Sequence, residues 1–571
     1  MSQMISHGDA KNTETLKKNL RAFVSPWLVR AALWLLPLSF LIIAFFYPLS
    51  HILALTFDIN TFTGNNLLLV LRVLIFTFYQ ATLSTLLTLL LGLPSAYLFA
   101  RYDFRGKTLL RAVTAVPFML PTVVVAAGFS ALLGPRGLIH TLFPLSDFPF
   151  IGTLWAILIA HVFYNTTIII RVVGNALSSL DPKLEASARS LGADSLRVWG
   201  NVILPILRPS ILASCLLVFL FDFTSFGVIL LLGGSQFVTL EVEIYLRVLK
   251  LPNLSLAALL SVIQLLCTLI VSLVYSRVVT HSTVQTAPRS AELNIHKPKT
   301  LRERIFVISF AFLLLSFFLL PLSSLPLRSF FRFEADRGQR GEIQYGFTTD
   351  YYTELFVNRR GSVFYVPPIR ATINSLAYAG ATVVLSLLLG FPAALALAKP
   401  TRLEKILDPL IILPLGSSAV MLGLGFIISF GAWLTSPLLV PFAHTLVALP
   451  FVIRTLQPAI ASIPQRLRQA ASTLGASPFE VWKNIDLPIL RRATLTAGIF
   501  AFTISLGEFG ATLLISRPEY PTIPVAIERF LSQPGGLNYG QAMAMATILM
   551  LLTLISILLI EKFRLPNSGE F

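Results

Sequence analysis

Charge is scarce in this chain. Of its 571 residues only 12% are charged, against 55% hydrophobic, and the mean hydropathy is +0.78. A soluble globular domain carries about 25% charged residues, so a water-facing fold is excluded. Cysteine is nearly absent: Cys215 and Cys267 both lie in apolar runs, which rules out a disulfide framework or a cysteine-built metal cluster and leaves them as small lipid- or core-facing residues. Chemistry-bearing motifs are missing too. There is no HExxH, no GxSxG with placed partners and no ligand-spaced Cys/His set. The nearest approach to a nucleotide loop, Arg105-Gly106-Lys107-Thr108, has Arg101 where a glycine is required. These absences lead to an expectation of no catalytic residue, no metal and no cofactor bound by this chain. They also leave an intramembrane enzyme without a constellation to stand on.

What remains is long apolar runs without period-2 alternation, which read as membrane-spanning helices rather than barrel strands. Twelve are legible, at about 31–57, 70–100, 112–133, 153–173, 210–232, 256–279, 305–327, 373–398, 408–434, 441–462, 493–516 and 540–561. The first is too long for a signal-peptide core and has no cleavage site after it, so it reads as an uncleaved span. With the N-terminus cytoplasmic, 31 of the 44 Lys and Arg residues fall inside and 13 outside, seven of the latter in one long loop. The positive-inside rule therefore places both termini in the cytoplasm and accounts for the net charge of +17 without nucleic acid.

One polar sentence is written twice. Residues 186–205 read ASARSLGADSLRVWGNVILP and residues 469–488 read QAASTLGASPFEVWKNIDLP, aligned without a gap at an offset of 283. His161 and Arg171 match His444 and Arg454, and Phe226-Gly227 matches Phe509-Gly510, at the same offset. Upstream the offset is 298, with Arg72 against Arg370 and Leu91-Gly92-Leu93-Pro94 against Leu389-Gly390-Phe391-Pro392. Six spans per copy give two parallel repeats about an axis along the membrane normal. The resulting division is a cytoplasmic segment (1–30), a first repeat (31–280), a cytoplasmic linker (281–304), the first span of the second half (305–327), an external loop (328–370) and a second repeat (371–571).

Each copy of the sentence predicts a short alanine-rich helix ended by a glycine, Gly192 or Gly475. A newly capped helix follows, from Asp194 in one copy and Ser477-Pro478-Phe479-Glu480 in the other, with Leu-Pro marking a turn into the next span. The product is a cytoplasmic elbow. Recurrence in both halves implies a soluble partner with two equivalent clefts.

These segments resemble the EAA motif of ABC importer permeases: Glu-Ala-Ala, three residues, glycine, then about a dozen residues to Leu-Pro. Here Gln469-Ala470-Ala471 with Gly475 and Leu487-Pro488 form one copy. Ala186-Ser187-Ala188 with Gly192 and Leu204-Pro205 form the other, and Glu185 stands one place early. The resemblance covers roughly 70–280 and 370–562 and is nearest the fused two-repeat iron(III) and thiamine branch. The segment 506–512, LGEFGAT, also looks like molybdate- and sulfate-type permeases, and 161–165, HVFYN, leans toward the thiamine side. It implies an all-α type I (MetI-like) permease fold of about twelve transmembrane helices. It also implies a bacterial inner-membrane location, two copies of an ATP-binding subunit that hold ATP-Mg and dock on the elbows, and an extracytoplasmic solute-binding protein. The missing motif glutamate puts any salt bridge it makes in other members in doubt here.

Within the spans, Asp222 and Glu508 are charges in apolar runs, where an unpaired one costs at least ~2.5–3.5 kcal/mol. They either line a pathway between the halves or pair with a neighbouring helix. His161 and His444 read as scaffold packing, the glycines at 416, 423, 425 and 431 as close-packing points, and Pro117, Pro121 and Pro414 as kinks. A gradient-driven secondary transporter with parallel repeats is the rival reading. Residue by residue it is weakened because Asp222 aligns with Ser505 and Glu508 with Ser225.

Overall fold

The computed structural model describes residues 26–57, 61–142, 150–234, 236–282, 295–332, 346–358, 366–434 and 436–563. Residues 1–25, most of the linker, and parts of the 328–370 loop lie outside the described residues. Among the described residues eleven helices are long and apolar enough to cross a bilayer, and a bent pair, Arg402–Pro414 with Ala419–Ser429 at 91°, counted as one span, makes twelve. In chain order the spans are 1 (Arg30–Thr56), 2 (Gly64–Arg101), 3 (Thr122–Thr141), 4 (Leu154–Ser178), 5 (Ser195–Phe223), 6 (Leu254–Val279), 7 (Leu301–Phe330), 8 (Arg370–Leu397), 9 (the bent pair), 10 (Leu439–Ala461), 11 (Pro478–Gly507) and 12 (Gly536–Phe563). Among the described residues the one sheet is a two-stranded ribbon pairing Phe331-Arg332 with Gly346-Phe347.

Span 2 packs on span 4, and span 8 packs in the same way on span 10. The contacts repeat residue for residue. A Cβ on Gly92 would come within 2.5 Å of Ile169, and one on Gly390 within 2.7 Å of Val452, so both crossings require glycine. The backbone N–H of Leu240 donates to Thr77 (3.1 Å), and that of Ile523 donates to Ser375 (2.9 Å). Both pairs obey the offsets of the sequence repeat.

The first span of each half does not stay with its own repeat. Span 1 lies against spans 6, 8 and 9, and span 7 lies against spans 3 and 12. Trp34 and Arg30 hydrogen-bond to the buried Glu404 at the start of span 9. On the other side Ser324 donates to Gly128 O (3.0 Å). The two halves therefore embrace crosswise.

Besides the bent pair in 408–434, three expected spans are broken. Residues 112–133 form two helices, Lys107–Met119 and Thr122–Leu133, because Pro121 forces Leu120 into extended backbone (φ −76°, ψ 146°). Residues 210–232 divide at Thr224–Phe226 into the end of span 5 and a short helix, Gly227–Leu232. Residues 493–516 divide likewise at Glu508-Phe509, ahead of Gly510–Ile515.

Candidate functional site: twin elbows and a closed junction

The first elbow helix, Pro182–Ser190, is capped by Asp181 and has no buried residue; its counterpart, Gln465–Thr473, has none either. Gly192 (φ +86°) and Gly475 (φ +87°) turn the chain out of each helix in the left-handed region that favours glycine. The next helices start on the expected caps, Asp194 accepting from Arg197 N–H, and Ser477 and Glu480 forming a reciprocal capping box. Leu204-Pro205 and Leu487-Pro488 are not turns, contrary to the sequence reading. Each lies inside one continuous helix, just after a π-helical turn at Trp199–Ile203 or Trp482–Asp486. The Leu204 and Leu487 N–H groups reach back five residues to the tryptophan carbonyls, so the following proline, which has no N–H, is accommodated inside the helix. The helix that follows each glycine is thus continuous with span 5 or span 11.

Each elbow helix carries an ion pair. Glu185 pairs with Arg101 at the end of span 2. In the second half Arg468 occupies the Glu185 place and Lys399 the Arg101 place, and the acid comes instead from Asp486, 2.8 Å from Arg468 Nε. Ala186, Ser187, Gln469 and Ala470 are exposed, and Ala188 and Ala471 are half-buried on the side facing the bundle.

Sequence reasoning passed over the most exposed apolar side chains of the elbows. Leu191 and Leu474, at equivalent positions, are each 88% exposed; Leu196 and Phe479, also equivalent, are 83% and 67% exposed. Four large apolar side chains thus stand exposed at matched positions of the two elbows. The signal was available, since Leu191-Gly192 and Leu474-Gly475 are identical in the duplicated sentence. In a chain this apolar a leucine carries little information.

At the far ends of spans 5 and 11 the breaks bring the halves together. Phe226 and Phe509 stack with ring centroids 5.4 Å apart and are almost wholly buried. A Cβ on Gly227 would come within 2.5 Å of Thr122, and one on Gly510 within 3.0 Å of Ala419, so spans 3 and 9 close over the pair. The junction is shut.

Asp222 lies just before its break and Glu508 opens its own, both buried and each beside a histidine. His161 from span 4 bonds with Ser84 (Nδ1, 3.0 Å) and Ser225 (Nε2, 2.8 Å), and Asp222 sits 3.4 Å from its Nδ1. His444 from span 10 bonds with Ser505 (Nδ1, 2.7 Å) and Thr512 (Nε2, 2.7 Å), and Glu508 sits 3.2 Å from its Nε2. The two halves use the same pair of positions with acid and hydroxyl exchanged. In one, the carboxylate faces Nδ1 and the serine Nε2; in the other, the serine faces Nδ1 and the carboxylate Nε2. Asn165, which donates to Asp222 Oδ1 (2.7 Å), is matched by Ala448, where no acid needs it. Glu508 also accepts from the N–H groups of Ala511 and Thr512, capping the helix beyond the break. These contacts favour the pairing alternative for both acids. Each histidine ties the two sides of a break together.

Among the described residues no group of three or more His, Cys, Asp or Glu side chains is placed to hold a metal. Arg454 pairs with Asp408 (3.0 Å).

The family model for binding-protein-dependent transport system inner membrane components matches this chain twice, at residues 88–283 and 386–563. The thiamine transport system permease protein of Brucella abortus (strain 2308) is 28% identical over 512 residues, covering 88% of this chain and 89% of the relative. The protein of the same description from Escherichia coli K12 is 25% identical over 506 residues (85% and 88%), and that from Haemophilus influenzae is 26% identical over 537 (92% and 95%). Twelve apolar spans in two repeats, both recognised by one family model, make this chain a multi-pass inner-membrane ABC transporter permease, a member of the binding-protein-dependent transport system inner membrane component family.

Proposed function

We propose that this chain forms the translocation pathway of an ABC importer for thiamine or a closely similar solute. One ATP-binding subunit docks on each elbow, both termini lie in the cytoplasm, and a solute-binding protein delivers cargo to the opposite face. The observation that carries the reading is the matched exposure of Leu191/Leu196 and Leu474/Phe479 on two elbows built alike. Two equal knobs suit two identical motor subunits. The ATP is bound and hydrolysed by those subunits. Thiamine is favoured over the iron(III) alternative because relatives that span the chain, those of Brucella abortus and Escherichia coli among them, are described as thiamine permeases.

The mechanism follows from continuity. Closing of the motor dimer draws the elbows together, and each elbow runs through its π-helical turn into a single rod ending at a break. Movement at Gly192 or Gly475 is therefore delivered to Phe226 or Phe509. Inverting a 1:99 equilibrium between closed and parted halves to 99:1 takes about 5.5 kcal/mol of differential binding, which two docked subunits share. The test is co-purification of the ATP-binding subunits from detergent. Leu191→Asp with Leu474→Asp is expected to abolish capture and thiamine uptake while the permease still inserts. Full capture by that double variant would refute the assignment.

A further inference from the structure

The junction between the halves is not symmetric, and the asymmetry is chemical. Glu241, on the helix Leu240–Leu249 that follows the break after span 5, is a carboxylate 1% exposed. Ser418, at the bend of span 9 in the other repeat, donates to its Oε2 (2.6 Å), and Gln264 of span 6 donates to its Oε1 (2.6 Å). Among the described residues no Lys, Arg or His lies within ion-pair distance of it. The second repeat makes the same crossing without any charge: Pro524 stands where Glu241 does, and Pro121 where Ser418 does. The scaffold therefore does not require an acid here. Burying one without a countercharge is costly, so its presence calls for a function.

Its surroundings indicate the ligand. Tyr245, one turn along the same helix, packs its ring 5.6 Å from Phe226, which in turn stacks on Phe509. Glu528, equivalent to Tyr245 in the other repeat, lies close enough to Tyr245 to interact with it electrostatically. Gln264 is 1% exposed, yet its Oε1 has no hydrogen-bond partner. Parting of the halves takes Ser418 away with its own repeat. The Glu241 carboxylate is then left with one donor, Gln264 Nε2, and the unpaired Oε1 of the same amide, one helical turn from Tyr245 and the aromatic stack that Tyr245 joins. A carboxylate backed by aromatic rings is the environment that binds a flat organic cation, through charge pairing and through the ring faces.

We propose that Glu241, with Phe226, Phe509 and Tyr245, is the point in the pathway that recognises a planar, permanently charged aromatic ring, and that Ser418 holds the carboxylate only while the pathway is closed. This rests on the thiamine reading above, the thiazolium ring of thiamine being such a cation.

The test uses the full complex with its ATP-binding and solute-binding subunits in proteoliposomes. Uptake of thiamine is compared with uptake of an analogue in which an uncharged ring replaces the thiazolium. In the wild type the cation is expected to be preferred. Glu241→Gln should raise KM for thiamine at least tenfold and bring the cation-to-neutral ratio close to one, and Glu241→Asp should restore much of the preference. An unchanged ratio in Glu241→Gln would overturn the proposal. Loss of uptake of both compounds in Glu241→Gln and Glu241→Asp alike would also overturn it, by making Glu241 a strut. A wild type that carries no thiamine would instead sink the substrate reading itself.

Discussion

Exchanging the acid and hydroxyl around His161 tests whether the two histidine braces are one device built in two ways. Asp222→Ser removes the acceptor of Asn165 Nδ2 (2.7 Å) and the carboxylate 3.4 Å from His161 Nδ1, in a place with no access to water. A buried donor left unsatisfied costs about 1–3 kcal/mol. Loss of the carboxylate beside the imidazole adds a hydrogen bond's worth of about 1 kcal/mol. The expected destabilisation of the span 5 break is therefore about 2–4 kcal/mol, and at about 1.4 kcal/mol per tenfold the population with Phe226 correctly placed falls at least twentyfold. The assays are thermal unfolding of the purified permease and thiamine uptake by the reconstituted complex. Asn165→Ala/Asp222→Ser/Ser225→Glu copies the second half: it deletes the orphaned donor, as Ala448 does, and supplies the carboxylate from the Glu508 position. This triple variant should recover most of the stability and uptake lost by Asp222→Ser. If it behaves no better than the single variant, or if Asp222→Ser alone is harmless, the brace is not what holds the break.

Further outcomes follow from the elbows and crossings. Gly192→Ala and Gly475→Ala meet no atom within 4 Å, so their cost is the left-handed backbone alone, about 1–2 kcal/mol each. Binding of the ATP-binding subunits should weaken roughly fivefold to thirtyfold per site, whereas Gly200→Ala, which has open space and no positive φ, should not weaken it. Arg101→Ala should loosen the first elbow and Asp486→Ala the second, each detected as faster hydrogen exchange in its own elbow helix and not in the other. Gly92→Ala places a methyl group 2.5 Å from Ile169 Cβ and should lower stability by about 1–3 kcal/mol, with partial relief from Ile169→Ala, read as a shift in Tm.

The spans were legible because lipid demands about 20 apolar residues per crossing, and the elbows were legible because polar residues in such a chain stand out twice. The breaks were not, since Thr224–Phe226 and Glu508-Phe509 sit inside runs whose overall apolarity suits a continuous helix. Pro121 gave warning at its own break, and Pro414 at the bend of span 9. Leu204-Pro205 and Leu487-Pro488 misled in the opposite direction, because a π-helical turn hides a proline that α-helical spacing would expel. The histidine braces were invisible to alignment. Asp222 faces Ser505 and Glu508 faces Ser225, so the equivalence exists only around the imidazole rings. The crosswise placement of spans 1 and 7, like the Glu241–Ser418 contact, is tertiary and leaves no periodic trace.

The central claim is that both elbows lie in the cytoplasm, where a motor can hold them. Ser190→Cys and Ser472→Cys, each alone in a Cys215→Ser/Cys267→Ser background, put a thiol on an exposed elbow position. A membrane-impermeant maleimide should label both in inside-out vesicles, fail to label them in right-side-out vesicles, and be blocked when the ATP-binding subunits are added. Labelling of either site from the outer face would contradict the account.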